Sequence, residues 1–229
     1  MAATTSLVNP RAFAIAVAAD LAGGIGKHGD LPFTLRKDLA LFAKLTSKIP
    51  PQAQDPAYQL ANACIMGRKT WESLPQKYRP LPNRLNIIVS RNPHYLDGKP
   101  EKDNPMVSLM SSFEAALDLI VDINDKSKQQ AVPSHKNLRI PRTFLIGGAQ
   151  LYDIGVQSPH LNYVFLTRVY TVVEETDVYF PDIEKMGFEL MPREKGHDFI
   201  ESYIQEPVQG GIIEEGEYKY EFTVYTRNE

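Results

Sequence analysis

Apolar residues follow two rhythms along this chain, and their alternation sets out the elements. Arg11–Ala19 (RAFAIAVAA) is an apolar run long enough for a buried strand, closed by the Gly-containing stretch LAGGIGKHGDLPF. Leu60–Gly67 (LANACIMG) and Arg84–Ser90 (RLNIIVS) have the same character, the latter with β-branched residues and no breaker. Between them the period lengthens. Over Leu35–Thr46 the residues Leu35, Leu39, Leu41, Phe42 and Leu45 fall on one side of a helix, with Arg36, Lys37 and Lys44 on the other. RKTWESLP predicts a short helix closed by Pro75. SSFEAALDLIVDI has helical spacing through Phe113, Ala116, Leu117, Ile120 and Ile123, with serines placed to cap it. RTFLIGGAQLYDIG reads as strand, Gly-Gly turn and helix, and NYVFLTRVY as a further strand. From about Phe188 onward the chain reads as strand-like, ending in EYKYEFTVYTR, whose alternation suits an antiparallel pair.

Strands alternating with helices imply an α/β fold. The expected architecture is one domain with a central mixed, mainly parallel sheet of about eight strands, an antiparallel C-terminal edge, and helices on both faces. The core should span residues 13–227. Polar, Pro- and Gly-rich excursions near 50–59, 92–105 and 124–137 read as surface insertions rather than linkers.

Composition narrows the possibilities. With 229 residues, 43% hydrophobic and 23% charged, the chain is an ordinary globular protein with room for a sizeable core. No apolar run approaches the roughly 20 residues needed to cross a bilayer, and the N-terminus lacks a secretory pattern. A lone cysteine, Cys64, suits a reducing compartment and reads as a small core residue. A cytoplasmic protein without membrane association is therefore expected. The net charge of −3, with no basic run, argues against nucleic acid as a partner. His28, His94, His135, His160 and His197 are scattered without ligand spacing, so no metal is expected.

Three features carry chemistry. Asp38 lies in the middle of the apolar arc of its helix, where an ionised carboxylate costs several kcal/mol unless it has a partner or binds a proton; a structural Asp satisfied by amides fits as well as a functional one. Gly147-Gly148 separates a strand from a helix whose N-terminus can receive a phosphate. Arg68-Lys69 and Ser90-Arg91 each follow a strand, so both should project from one sheet edge and could clamp a phosphate monoester. Taken singly, the last two are better explained by a tight turn and by solvated charge.

Taken together, GGIGKHGDLPF-TLRKDLALF, IMGRKTWESLPQKYRPLPNRLNIIVSR, FLIGGAQLY, LTRV, DVYFPDI and KYEFTVY resemble dihydrofolate reductase in order and spacing, from about Phe13 to Arg227. The QKYRPLP stretch and the insertions are similar to eukaryotic, fungal-type members. The resemblance implies hydride transfer from NADPH to C6 of 7,8-dihydrofolate with protonation of N5, in a monomer, with antifolates as inhibitors. It makes Asp38 the acid that pairs with the pterin N3 and 2-amino group, and Thr167 the residue that orients it, with Leu31 and Phe33 beside the reacting centre. Val17, Ala18, Leu39, Phe42, Ser73, Leu74, Leu81, Ile146 and Tyr152 would line the substrate slot, and Arg84 would grip the substrate's α-carboxylate. Ala18, Ile25, Gly26, Gly29, Asp30, Gly67, Arg68, Lys69, Thr70, Ser90, Arg91, Gly147, Gly148, Ala149, Gln150, Leu151 and Tyr152 would hold the cofactor. In the family the Gly147–Gly148 peptide is cis, and Gly23–Leu31 is the loop that closes over nicotinamide.

Two positions depart from the family. Phe33 stands where tryptophan is usual, losing an indole N–H that holds an ordered water. Ser111 stands where many relatives have a basic residue, which puts more of the NADPH preference on Arg68, Lys69 and Arg91. The alternatives are the pyrimidine reductase of riboflavin synthesis and a catalytically silent nucleotide-binding protein on the same fold. The Asp38–Phe42–Arg84 arrangement for pterin and glutamate argues against the first, and retention of Asp38, Thr167 and Arg84 together against the second. No fused thymidylate synthase is expected, because the chain stops just after its last strand.

Overall fold

The computed structural model describes residues 9–128 and 135–227. Its strands are β1 (Phe13–Ala19), β2 (Gly24–Gly26), β3 (Gln59–Leu60), β4 (Asn62–Gly67), β5 (Arg84–Val89), β6 (Val107–Met110), β7 (Leu138–Arg139), β8 (Thr143–Leu145), β9 (Leu161–Val169), β10 (Val178–Tyr179), β11 (Phe188–Leu190), β12 (Ile213–Glu215) and β13 (Tyr218–Arg227). The helices are α1 (Arg36–Ser47), α2 (Arg68–Ser73), α3 (Phe113–Asn124), α4 (Ala149–Gln157) and α5 (Arg193–Ile204). One sheet runs in the order β11-β13-β9-β1-β8-β4-β5-β6, with β12 extending β13. Pairing is parallel from β9 across to β6 and antiparallel at β13, β11 and β12. This is the expected mixed sheet with its antiparallel C-terminal edge.

Strand periodicity divides the core into two layers. Phe13 and Ile15 of β1 face one layer, with Ile65, Leu85, Ile87, Leu145 and the buried faces of α3 and α4. Ala14 and Ala16 face the other, with Cys64, Met66, Phe144 and Phe165, covered by Leu41 and Leu45 of α1, Trp71 of α2 and Ile200 and Ile204 of α5. Side chains of about this size, buried on both faces, explain why the central strands read as continuous apolar runs. Ser112 caps α3 as expected, its hydroxyl accepting the Ala115 N–H at 3.0 Å.

Three readings need correction. The segment after Phe188 is not only strand: α5 lies within it, its buried side carried by Gly196, Ile200 and Ile204 at four-residue spacing amid charged residues. Leu39 does not belong to the core side of α1. It is 43% exposed, because a helix turns about 100° per residue and Leu39 falls off the arc centred on Leu41 and Leu45. The 92–105 excursion is anchored rather than superficial, since Tyr95 and Leu96 are buried in the core and the Tyr95 hydroxyl donates to Glu72 at 3.1 Å. The flanks of the other two excursions meet, with β3 pairing in parallel with β7. Within 124–137, residues 129–134 lie outside the described residues.

Candidate active site

β1 is central, and its carboxyl end is where the sheet opens. Ala18 pairs with Thr167 of β9, and Thr167 pairs in turn with Phe222 of β13. Helix α1 crosses this end and delivers Asp38 to Thr167, whose hydroxyl donates to Asp38 Oδ1 at 2.6 Å. Asp38 is half-buried and no cation pairs with it among the described residues. Burial pushes its pKa up to about 6, opposed by the Thr167 hydrogen bond and reinforced by the charge of Glu215. A carboxyl group in that state exchanges a proton near neutral pH, which a structural, amide-satisfied aspartate does not.

Around this acid the sequence-predicted lining divides by depth. Leu81 and Ile146 are buried, Phe42 and Leu74 are half-buried, and all four belong to one apolar layer. Val17 and Ala18 are partly exposed although they lie on a central strand. Leu39, Leu31 and Ser73 are exposed at the rim, with the Ser73 hydroxyl donating to the Thr70 carbonyl at 2.9 Å. Phe33 is buried beside Leu35, its ring edge-on to Tyr218 at 6.0 Å between centroids. Tyr152 is buried and its hydroxyl donates to the Ala16 carbonyl at 3.2 Å.

Arg84 is buried, 5% exposed, yet has no carboxylate partner among the described residues. Its Nη1 donates to Thr46 Oγ1 at 2.7 Å and its Nε to the Pro82 carbonyl at 2.9 Å, and burial lowers its pKa. A fixed guanidinium short of an anion is a receptor for one. Sequence reasoning missed the residues that fix it. Thr46 is held by donating to the Phe42 carbonyl at 2.7 Å. Asn86 accepts the Leu81 N–H at 2.9 Å and donates to the Leu81 and Arg84 carbonyls at 3.0 and 2.8 Å. A polar residue inside the apolar run RLNIIVS was the available signal.

The phosphate-binding features converge at the neighbouring strand ends. Gly67 of β4 and Val89 of β5 are register partners, so Arg68-Lys69 and Ser90-Arg91 leave the same edge side by side. Arg68 is engaged by Glu72, through Nη1 at 3.0 and 2.8 Å, whereas Lys69 and Arg91 have no ion-pair partner among the described residues. The Gly67 N–H donates to the Gly147 carbonyl at 2.7 Å. The Gly147–Gly148 peptide is cis. A Cβ on Gly147, which has φ +122°, would lie 3.1 Å from Thr70 Oγ1 and 3.5 Å from the Tyr152 hydroxyl, and no side chain caps α4 behind it. The loop from Gly23 is stitched by Asp20, which accepts the Ala22, Gly24 and Val173 amides at 2.9, 2.7 and 2.9 Å. Ile25 and Gly26 lie on or beside the β2–β10 pair, while Gly29 and Asp30 are exposed. Cys64 is fully buried, and burial drives its thiol up to about 12, leaving no nucleophile there.

The family profile for dihydrofolate reductase matches residues 12–206. The chain belongs to the dihydrofolate reductase family. It is 31% identical over 220 residues to dihydrofolate reductase of Pneumocystis carinii, covering 95% of this chain and 98% of that one. It is likewise 31% identical over 225 residues to that of Bos taurus, covering 97% and 100%. Schistosoma mansoni dihydrofolate reductase has the same fold, with TM-score 0.68 and 26% identity over 95% of this chain and 98% of that chain. Fungal and animal relatives match comparably well, so the eukaryotic type is better supported than the fungal one. The matched profile stops before β12 and β13, yet β13 lies inside the sheet and β12 reaches the site.

Proposed function

We propose that this chain catalyses NADPH-dependent reduction of 7,8-dihydrofolate to 5,6,7,8-tetrahydrofolate, as a cytoplasmic monomer with one catalytic domain. The observation that carries this reading is Asp38: a half-buried acid oriented by Thr167, with its pKa raised to about 6, at the open end of the central strand. Its two oxygens suit the paired donors of a pterin edge. Phe42, Leu74, Leu81 and Ile146 supply an apolar wall for the ring system, and Arg84 supplies the anion receptor for the glutamate carboxylate. No helix among the described residues is long and apolar enough to cross a membrane.

The residues present fit the cofactor. A Cβ on Gly147 or Gly148 would crowd Thr70 Oγ1 at 3.1 or 3.2 Å, the α4 N-terminus is uncapped, and Lys69 and Arg91 stand as free cations one strand apart. The first two suit a pyrophosphate and the last pair a 2′-phosphate. NADPH, when bound, supplies the hydride. Asp38 holds the pterin and sets the local field for protonation at N5, while the Gly23–Leu31 loop excludes water. Antifolates carrying a diaminopteridine edge would compete for the same carboxylate.

The test is NADPH oxidation with 7,8-dihydrofolate, with and without methotrexate. Turnover abolished by stoichiometric methotrexate supports the reading. NADPH binding without turnover overturns it in favour of a silent protein, and turnover with the riboflavin-pathway pyrimidine instead overturns it in favour of that reductase.

A further inference from the structure

Helix α1 opens without a cap of its own, since Leu35 at the cap position offers no acceptor. The acceptor comes from the far end of the chain. Glu215, the last residue of β12, accepts the Arg36 N–H on Oε1 at 2.6 Å and the Lys37 N–H on Oε2 at 3.3 Å. Tyr220, across the hairpin in β13, donates its hydroxyl to Oε2 at 2.7 Å and is itself buried. The next residue of α1 after these two amides is Asp38.

Unpartnered amides at a helix start stabilise an ionised carboxylate in the first turn, and would hold Asp38 deprotonated. Glu215 occupies those amides and adds a like charge. We propose that Glu215 is a second carboxylate of this site, a positioning residue acting through Asp38: it locks the first turn of α1 to the C-terminal hairpin and takes up the two amides that precede Asp38, so that they no longer favour its ionised form. The proposal rests on the reductase reading only for its consequence in turnover.

The groups facing this pair are few. Thr167 of β9 donates to Asp38. Tyr220 of β13 donates to Glu215 and interacts electrostatically with Asp38. On α1 itself, the charge of Lys37 acts weakly on Glu215, its Nζ being tied to Gln209 Oε1 at 2.7 Å. Neither carboxylate has a salt bridge among the described residues. The capping bonds, with Tyr220 first, hold Glu215 below the usual carboxylate range, so it stays charged while Asp38 titrates.

The experiment is a pH titration of the full chain, ligand-free, with ¹³C-carboxyl aspartate observed by NMR and the Asp38 resonance identified by its absence in Asp38→Asn. Glu215→Gln keeps the shape and removes the charge. It should lower the Asp38 midpoint by about half a pH unit or more. Glu215→Asp keeps the charge and should leave the midpoint closer to the parent's. A Glu215→Gln protein that is less stable but titrates Asp38 as before overturns the proposal, leaving only a structural cap. So does a Glu215→Asp protein shifted as far as Glu215→Gln. Because no substrate is present, failure of the reductase reading would not be mistaken for failure of this one. In turnover, the alkaline fall of the hydride-transfer rate in Glu215→Gln should move to lower pH by the same amount.

Discussion

Asp38 works against the fold that holds it. Its pKa in the folded chain, about 6, lies above its ordinary 3.8, so folding favours its protonated form. That contribution is present below the unfolded pKa and is lost as pH rises through the folded one. Near pH 7.5 the ionised group therefore costs up to about 3 kcal/mol. Asp38→Asn should remove that cost and raise the urea midpoint at pH 7.5, by an amount that shrinks as the pH is lowered through about 6. The same substitution should reduce turnover by about 10²-fold or more, with NADPH affinity nearly unchanged. A variant that keeps full activity would remove Asp38 from its role. Arg84 is the second residue whose environment anticipates a ligand. Arg84→Leu should raise the dihydrofolate KM by about 10²-fold, as expected when a buried charge partner is deleted, and leave the KM for NADPH in place.

Among the elements, β5 and its approach depend on one side chain. Asn86 satisfies three backbone groups of Leu81 and Arg84, two residues of the proposed substrate slot. Asn86→Ala strands those groups in the interior and should cost about 2–4 kcal/mol in chemical denaturation, with a rise in dihydrofolate KM larger than any change for NADPH. The cap of α3 gives a smaller and simpler test. Ser112→Ala should destabilise by about 1 kcal/mol without affecting turnover, since α3 packs on the sheet layer opposite Asp38's helix. Helix α5 marks where element-level reading failed. Its apolar positions are too sparse among Arg193, Glu194, Lys195, Asp198 and Glu201 to stand out, and it is helical because Ile200 and Ile204 find a place beside Leu41 and Leu45.

At the scale of the molecule, the C-terminal strands close both the sheet and the site. β13 lies between β9 and β11, burying Tyr220, Val224 and Tyr225, and β12 on the same hairpin carries Glu215 to α1. A chain ending at residue 206 contains the whole of the matched family profile but loses the buried Ile213, Tyr220, Val224 and Tyr225 and leaves β9 as a raw edge. It should fail to give a cooperative thermal transition by circular dichroism. A cooperative, dihydrofolate-binding fragment would show that the hairpin is dispensable.

The one-dimensional sequence determined the α/β class, the parallel centre and antiparallel edge, and six of the main strands, β1, β4, β5, β8, β9 and β13, because each buried strand is an apolar run or alternation complete within itself. It also placed Arg68, Lys69, Ser90 and Arg91 at one edge, since residues that follow parallel strands must emerge together. Asp38 was visible as a carboxylate out of pattern. Only the tertiary structure decided what that carboxylate meets. Thr167, implied by the family resemblance, bonds it directly. Glu215 and Tyr220, which no sequence pattern announced, arrive at the start of its helix from strands more than a hundred residues away. Thr46 and Asn86 fix Arg84 and Leu81 through hydrogen bonds that have no period. Leu39 fell on the wrong side for the same reason. A helix's apolar arc is read from spacing, but its centre, here on Leu41 and Leu45 rather than Leu39, is set by the neighbours that arrive to cover it.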